Sequence, residues 1–594
     1  MAVGRMGHPT HLLMALTWDC PPAPTRPCGH NYPLNTYKVG GKSEVGRSLT
    51  STVLAQPTLG PFMTENLVAQ LLASSAGLPE SLCTFTAGCG YTPAVMRPAF
   101  RGFKAAILLP AAVAAAFVGC EADDGLRLPS RESAEINLAD FTLVARIIHI
   151  SDSQLIDEES PARFAGAQEL VRSAWRPYEA YSTQLLDGTL RAANRIHASG
   201  RAADCLVLTG DTCDNAQTNE LRWLLDVFDG RTIDPRSGPD DRAVETLPDP
   251  LMDPHASFSA QGLYRTGSHG DMPSIPWYAV FGNHDRFGIG VFAVFENLFG
   301  RRVAELPFAR RPGVFLPTVF DPVGAWTHGK VTPAEPGPPA FLELPAHVEP
   351  NPDRKYFNQR EFIRAMFMTE SGPAGHGFAD PETGPSWYSV SPVEGLRLIG
   401  LNTCEPAHQI AGFPYQDGSI SAEQVAFLRD ELSAAEKRGE LVVVASHHPS
   451  GSLWAGYGSA LIGSEFRALL SEYPHVVAHL AGHTHRNRVT ARDTYLEIET
   501  CSTLDLPQEG RIVEIWRRNA DGLVAIKYEM FSHLDEQLPV LGIDPLRAMR
   551  AAAQAIAQAD QGGAARQKRL DPTGANPYGS AVDRSGMALL QRGP

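Results

Sequence analysis

The sequence predicts an α/β fold in which two stacked β-sheets are flanked by helices. Short runs rich in Val, Ile and Leu show little alternation, as expected of strands buried on both faces, and amphipathic helical patterns separate them. After Gly482 the pattern changes to successive strands without helices between them. This change indicates that a second, more antiparallel sheet is stacked on the first.

Composition limits the classes of function before any motif is considered. The 594 residues include 51 Lys and Arg against 66 Asp and Glu, which gives a net charge of −15. Bulk binding of nucleic acid needs a basic surface, so that class is disfavoured. The hydrophobic fraction of 43% is enough for a large core, which argues against wholesale disorder.

The first 140 residues are predicted to precede the catalytic domain. Residues 1–95 lack a core-forming pattern and are interpreted as an extension or a misassigned start. Residues 96–120 resemble a signal peptide, because a basic stretch precedes an apolar run too short to span a bilayer; a buried apolar helix is the alternative. The run ends at Cys120 in a lipoprotein-like box, so lipidation there would anchor the chain to a membrane. Residues 121–140 would be a tether, and the protein would be exported to the periplasm or cell envelope.

The catalytic domain is predicted to span 141–535. Its strands in chain order are Phe141–Ile150, Cys205–Thr209, Trp277–Phe281, Leu396–Asn402, Leu441–Ser446, Val476–Ala481, Tyr495–Thr500, Arg511–Arg517 and Leu523–Phe531. A helix over Ala216–Asp229 is predicted to start at an Asn215 cap, since its apolar residues recur every three or four positions. Ser421 and Gln424 form a capping-box pattern before a second helix.

Two segments rich in Pro, Gly and Asp interrupt this alternation, at 231–275 and 287–390. Loops this long are uncommon inside a domain unless they are functional, so we expect insertions that roof a site and set the choice of substrate. The remaining residues, 536–594, are predicted to form one helix and a loose tail.

Five short polar clusters directly follow predicted strands. They are Asp152-Ser153-Gln154, Gly210-Asp211-Thr212-Cys213-Asp214, Gly282-Asn283-His284-Asp285, His447-His448-Pro449 and Gly482-His483-Thr484-His485. Each would project from the carboxyl edge of a sheet, where α/β folds place their sites. Carboxylate, amide and imidazole ligands together suit Mn²⁺, Fe or Zn²⁺. The clusters therefore predict a metal centre, and a carboxylate shared by two ions is typical of phosphoryl chemistry.

The ordered series resembles the calcineurin-like metallophosphoesterase superfamily, in a bacterial exported branch with long inserts between motifs. The family pattern is D-x-H, GD-x-x-D, GNH-[DE], H and GH-x-H, and four of the five blocks match within Ile147–Phe531. The resemblance implies a four-layer α/β/β/α fold and two divalent or trivalent metal ions. It also implies that a metal-activated hydroxide attacks phosphorus in a phosphomonoester or phosphodiester.

The resemblance implies a role for each matching position. One ion would be held by Asp152, Gln154, Asp211 and His485, and the other by Asp211, Asn283, His447 and His483. His284 would protonate the leaving group or stabilise the developing charge, and Asp285 would orient His284. Asp214 would support these residues from outside the set that contacts the metals and the substrate. Gln154 departs from the pattern, which has His there. An amide oxygen is a harder and weaker ligand, which favours Mn²⁺ or Fe over Zn²⁺ or loosens that site.

Two other functions stay open beside hydrolysis of a small phosphorylated substrate. One is a nucleotide pyrophosphatase or cyclic-nucleotide phosphodiesterase. The other is a non-catalytic, metal-binding envelope protein, against which the His284–Asp285 pair argues because a mere scaffold needs no acid. No protein partner can be inferred. His448, next to a predicted ligand, either supports the ligands from outside the metal's contacts or serves in packing. Cys404 and Cys501 could form a disulfide in an exported chain.

Overall fold

A computed structural model describes part of the chain, and the described residues all lie in the compact unit Phe100–Pro594. They are 137–158, 160, 176–237, 253–264, 274–288, 290, 292–293, 351–405, 417–454, 459–535, 544–559 and 576–590. The predicted extension 1–95, the predicted signal peptide 96–120 and most of the predicted tether lie outside them. Among the helices in these ranges, none has the length and apolar character needed to cross a membrane.

Strands and helices are interspersed along the described chain. The strands are β1 (Phe141–Ile150), β2 (Cys205–Leu208), β3 (Thr232–Ile233), β4 (Phe258–Ser259), β5 (Trp277–Ala279), β6 (Phe287–Gly288), β7 (Phe292–Ala293), β8 (Tyr388–Val393), β9 (Leu396–Gly400), β10 (Leu441–Ala445), β11 (Val476–Ala481), β12 (Arg488–Ala491), β13 (Leu496–Glu499), β14 (Glu509–Arg518), β15 (Val524–Ser532) and β16 (Ser585–Leu590). The helices are α1 (Ser182–Ala198), α2 (Thr218–Asp229), α3 (Gln359–Met366), α4 (Ala422–Arg438), α5 (Gly463–Ser471), α6 (Pro545–Ala559) and α7 (Ala581–Arg584).

Two six-stranded mixed sheets form the centre of the fold, which confirms the predicted α/β class. Sheet A has the order β16-β15-β14-β1-β2-β5, and sheet B has the order β12-β13-β11-β10-β9-β8. The predicted division of strands between the sheets is wrong. β13 joins sheet B in parallel with β11, whereas β14 pairs antiparallel with β1 in sheet A. β14 thereby covers the otherwise open edge of β1, a non-local pairing that local sequence patterns do not encode.

Both faces of central strands such as β2, β10 and β11 are buried, which explains why their sequences alternate so little. In β10, Val443 belongs to the core shared with sheet A, whereas Val442 and Val444 pack in a second cluster. That second cluster includes Leu428 of α4 and Phe466 of α5, so helices cover the outer face of sheet B. The result is a layered arrangement of helices and two sheets around the core.

The helix ends differ from the sequence prediction in informative ways. α2 begins two residues after the predicted start, because Glu220 accepts hydrogen bonds from the amides of Asn215 (2.9 Å) and Gln217 (3.4 Å). Ser421 does cap α4 through the amide of Gln424 at 3.3 Å. The Gln424 side chain, however, binds the backbone of Asn402 instead of closing a capping box.

Parts of the predicted insertions and tail belong to the ordered fold. Within 287–390, the segment from 351 onward contributes α3 and the buried rings of Phe362 and Phe378 to the main core. From the predicted tail, α6 packs Met549 against Leu185 of α1, and β16 adds an edge strand to sheet A.

Candidate metal centre

The five polar clusters meet where β1, β2, β5, β10 and β11 end. The Asp152 amide donates to the Gly210 carbonyl oxygen at 3.1 Å, which joins the first two clusters. The Gly482 amide donates to the His447 carbonyl oxygen at 2.9 Å, which joins the last two. His447 Nδ1 donates to the Thr209 carbonyl oxygen at 2.8 Å and so links the two sheets. The side chains at these strand ends therefore converge on one site.

Many of these residues have a backbone conformation that side chains rarely adopt. Positive φ angles occur at Asp152 (51°), Gln154 (40°), Asp211 (51°), His483 (67°) and His485 (54°). Such left-handed conformations cost about 1–3 kcal/mol each and persist only where surrounding contacts fix them. They occur in the loops after β1, β2 and β11, where they turn the chain sharply so that the side chains face the centre.

Two glycines permit the close approach of these loops. A Cβ added at Gly282 would overlap the backbone nitrogen and Oδ1 of Asp211. A Cβ added at Gly482 would overlap Ser151 Oγ and Asp152 Oδ2. Only glycine fits at either position.

The first group of candidate ligands consists of Asp152, Asp211 and His485, whose ligand atoms lie within 4.8 Å of one another. All three side chains are buried. His485 Nε2 lies 3.0 Å from Asp152 Oδ1, so this nitrogen faces the group. Its Nδ1 lies 2.7 Å from Asp505 Oδ2, an arrangement that fixes the ring.

The second group contains His447, His448 and His483 within the same distance limit of 4.8 Å. Asn283 Oδ1 lies 2.9 Å from His447 Nε2 and 3.1 Å from His483 Nδ1, so an amide oxygen belongs to the same cluster. His447 Nε2 is also 3.3 Å from Asp211 Oδ1. Asp211 therefore stands between the two groups.

His448 belongs to this group by distance, and its ring also has contacts with residues around the group. Its Nδ1 is 2.8 Å from Thr403 Oγ1, and its ring packs on His483 with the centroids 4.3 Å apart. The sequence left its role open, and the structure shows both a polar contact and packing. The cysteines of the described residues, Cys205, Cys213, Cys404 and Cys501, are buried and unpaired, so the proposed disulfide does not form.

His284 is oriented by Asp214 and not by Asp285, which corrects the role inferred for Asp285. His284 Nδ1 donates to the Asp214 carbonyl oxygen at 2.8 Å and lies 3.2 Å from its carboxylate. Asp285 instead accepts bonds from the amides of Thr212 (2.8 Å), Cys213 (3.1 Å) and Gly282 (2.9 Å). Its carboxylate thus joins the loops that carry Asp211 and Asn283.

Electrostatics separate the histidines of the centre. Burial disfavours the charged rings, but the acceptors around them together outweigh it: Asp211 and Asp214 raise the pKa of His284 to about 9, and Asp211 and Asp152 raise that of His447 to about 9. Burial and the charge of His447 lower the pKa of His483 to about 3. Since imidazole binds a metal only when neutral, an ion at His447 would have to displace a proton.

Arg176 and Asp505 belong to the site but were missed by the sequence analysis. The buried Arg176 guanidinium contacts Asp505 (2.7 Å), Asp214 (3.2 Å) and the side-chain oxygen of Gln154 (2.8 Å). The amide nitrogen of Gln154 faces Asp211 Oδ2 at 3.4 Å. Neither Arg176 nor Asp505 lies in one of the five clusters, and only the fold brings them there.

Comparison with known proteins places this geometry in context. A model of the calcineurin-like phosphoesterase family matches residues 145–487, which contain all five clusters. Among curated protein sequences, none matches the chain. The fold is similar to that of a dimetal phosphatase from Danio rerio, with 13% identity, a TM-score of 0.31 and coverage of 66% of this chain and 97% of that one.

Two further solved structures are similar at the same low level. Sulfate thiohydrolase SoxB from Thermus thermophilus has 10% identity and a TM-score of 0.30, with 73% of this chain and 61% of that chain covered. A putative 5'-nucleotidase from Staphylococcus aureus has 12% identity and a TM-score of 0.28, with 69% and 58% covered.

Proposed function

The chain belongs to the calcineurin-like phosphoesterase family, and on that premise we propose that it hydrolyses a small phosphorylated substrate, a phosphomonoester or phosphodiester, at this centre. The family consists of metal-dependent enzymes, and the chain is a hydrolase that acts on phosphoester bonds. The observation that carries the proposal is the pair of ligand groups that adjoin at Asp211.

The described residues fit two metal ions. Asp152 Oδ1 is buried and has a polar neighbour in His485 Nε2 at 3.0 Å, so a cation held by both atoms would compensate the buried carboxylate. We assign one ion to Asp152, Asp211 and His485, and the other to Asp211, Asn283, His447 and His483. The mixed oxygen and nitrogen donors suit Mn, Fe or Zn. Such ions, when bound, lower the pKa of water and offset negative charge on phosphoryl oxygens.

His284 is proposed to be the acid that assists the leaving oxygen. The Asp214 carbonyl oxygen can only accept, so the Nδ1 of His284 carries a proton and Nε2 is the atom directed at the centre, 3.8 Å from Asp211 Oδ2. In the metal-free chain the pKa of about 9 keeps this ring protonated at neutral pH, so that Nε2 carries a proton there.

Export and lipid anchoring at Cys120 are a separate proposal, supported by the sequence of residues 96–120 alone. Incorporation of labelled palmitate in a bacterial host tests it. The label should attach to the unaltered chain and should be absent from Cys120→Ala; equal labelling of both would contradict lipidation at this cysteine.

The test of function combines metal analysis with a panel of substrates. We expect two metal ions per purified chain, and hydrolysis of a nitrophenyl monoester, a bis-nitrophenyl diester or ADP-ribose when Mn²⁺, Fe or Zn²⁺ is added back. The preferred ester separates a monoesterase from a diesterase or a pyrophosphatase. Metal without hydrolysis of any ester would favour the non-catalytic alternative.

His284→Ala tests the acid directly. The variant should keep both metal ions and lose about 10²–10⁴-fold in kcat, the usual contribution of a general acid. His475→Ala is the control, because this half-buried ring binds the Leu432 carbonyl oxygen away from the centre. Unchanged turnover in His284→Ala would refute the role.

A further inference from the structure

The centre contains two side-chain amides, and they face opposite ways. Asn283 donates its NH₂ group to the Gly290 carbonyl oxygen at 2.9 Å, which leaves its oxygen facing His447 and His483. Gln154 directs its oxygen away from the centre to Arg176 Nη2 at 2.8 Å. The group that Gln154 presents to Asp211 is therefore its NH₂, at 3.4 Å.

The chemistry of its two neighbours fixes this orientation of Gln154. A guanidinium has only donors, so the atom of Gln154 beside Arg176 must be the oxygen. A carboxylate has only acceptors, so the atom beside Asp211 must be the nitrogen. Both neighbours demand the same orientation, and Asp505 and Asp214 hold the Arg176 side chain in place by ion pairs at 2.7 and 3.2 Å.

We propose that Gln154 is not a metal ligand and that Arg176 is a positioning residue that keeps the Gln154 amide turned away from the metal. Gln154 then donates to Asp211, the carboxylate between the two groups. The ion at this side is held by Asp152, Asp211 and His485 alone. Three protein ligands leave coordination positions open, as catalytic sites require.

The alternative orientation is unfavourable for a definite reason. Turning the amide would place its NH₂ group against the N–H groups of Arg176 and would sacrifice a charge-assisted hydrogen bond in a buried site. Histidine at position 154 meets the same obstacle. A neutral imidazole has a single free lone pair, which cannot serve both Arg176 and a metal ion.

Mn²⁺ binding to the full chain tests the proposal. The proposal rests on the proposed function in one respect, because both assume that the centre binds metal ions. Metal-free protein is titrated with Mn²⁺, and free Mn²⁺ is followed by electron paramagnetic resonance. Gln154→Met keeps the side-chain volume but removes the amide. Asn283→Leu is the matched variant, because it removes the amide whose oxygen faces His447 and His483. We expect Gln154→Met to retain two ions with at most about a 10–100-fold loss of affinity, because the contacts it removes, the 2.8 Å bond from Arg176 and the 3.4 Å contact with Asp211, lie outside the ligand set. Asn283→Leu should lose one ion.

The outcomes separate the two hypotheses. If Gln154→Met loses one ion as Asn283→Leu does, Gln154 is a ligand and the inference is wrong. If the unaltered protein binds no ion, the proposed function itself fails. Gln154→His gives a second test that does not depend on the first variant folding: Zn²⁺ affinity should not increase while Arg176 is present. A gain of more than about tenfold would overturn the role of Arg176.

Discussion

Asp505 is the residue on which one side of the centre depends. Its carboxylate accepts from Arg176 Nε and from the Tyr178 hydroxyl, both at 2.7 Å, and it lies 2.7 Å from His485 Nδ1. The backbone amides of Leu504 and Asp505 donate to Ser502 Oγ, and these two bonds fix the loop that carries Asp505. One side chain therefore orients a candidate metal ligand and neutralises the buried arginine behind Gln154.

Asp505→Asn should weaken binding of the ion at Asp152 and His485 by about 10–100-fold, the usual effect of losing a carboxylate behind a histidine ligand. The amide would also leave Arg176 with one counter-charge fewer. Calorimetric titration with Mn²⁺ measures the loss. Asp521→Asn is the control, because the exposed Asp521 carboxylate binds Arg518 and the Leu523 amide, away from the centre. Equal affinities in the two variants would show that Asp505 does not support the ligand.

At the scale of elements, the backbone conformation of the loops that follow the strands directs the candidate ligands to the centre. Asp152 and Asp211 have left-handed conformations in the loops after β1 and β2. The amides of Asp152 and Gln154 donate to the carbonyl oxygens of Gly210 and Asp211, so the two loops are hydrogen-bonded to each other. The sequence predicted tight turns from the glycines in the clusters. The structure adds that Gly482 also makes room for the carboxylate of Asp152.

Gly482→Ala should abolish the centre while leaving the sheets intact. The new methyl group would overlap Ser151 Oγ and Asp152 Oδ2, so the loop must move and metal stoichiometry should fall below two ions per chain. Gly372→Ala is a matched control, since a Cβ there has nothing within 4 Å. Elemental analysis and circular dichroism check both variants. Full metal content in Gly482→Ala would mean that the loop tolerates the displacement.

Secondary structure was the part of the fold most accessible to sequence reasoning. β1 and β11 have the predicted bounds because unbroken apolar runs mark strands buried on both faces. The start of α2 was missed because Glu220, inside the helix, caps amides outside it. The pairing of β14 with β1 was missed because it depends on contacts more than 350 positions apart, such as Thr142 with Arg517.

At the scale of the whole molecule, the centre couples metal, protons and stability. His284 and His447 have folded-state pKa values of about 9 against the usual 6.5, because Asp211 favours the charged rings. A raised pKa stabilises the fold fully below 6.5, and that contribution disappears as pH rises through about 9. His483, with its pKa lowered to about 3, is already neutral in this range.

The metal-free chain should therefore lose stability between pH 7 and 9. A pKa raised from 6.5 to about 9 corresponds to at most about 3 kcal/mol for each ring. Bound ions should remove the part of this dependence that comes from His447, because that ligand is then neutral throughout, and they stabilise the fold by mass action. Urea unfolding at pH 7, 8 and 9, with chelator or with Mn²⁺, measures both effects. Parallel pH profiles would contradict the coupling.

The sequence by itself determined the fold class, the family and the five clusters, because strand patterns and motif spacings are local properties of the chain. The tertiary structure decided that β14 closes sheet A, that Asp214 and not Asp285 orients His284, and that Arg176 faces Gln154. These facts depend on residues far apart in sequence whose positions are fixed by packing. A motif specifies which side chains are present, whereas the direction in which an amide points depends on the donors and acceptors around it.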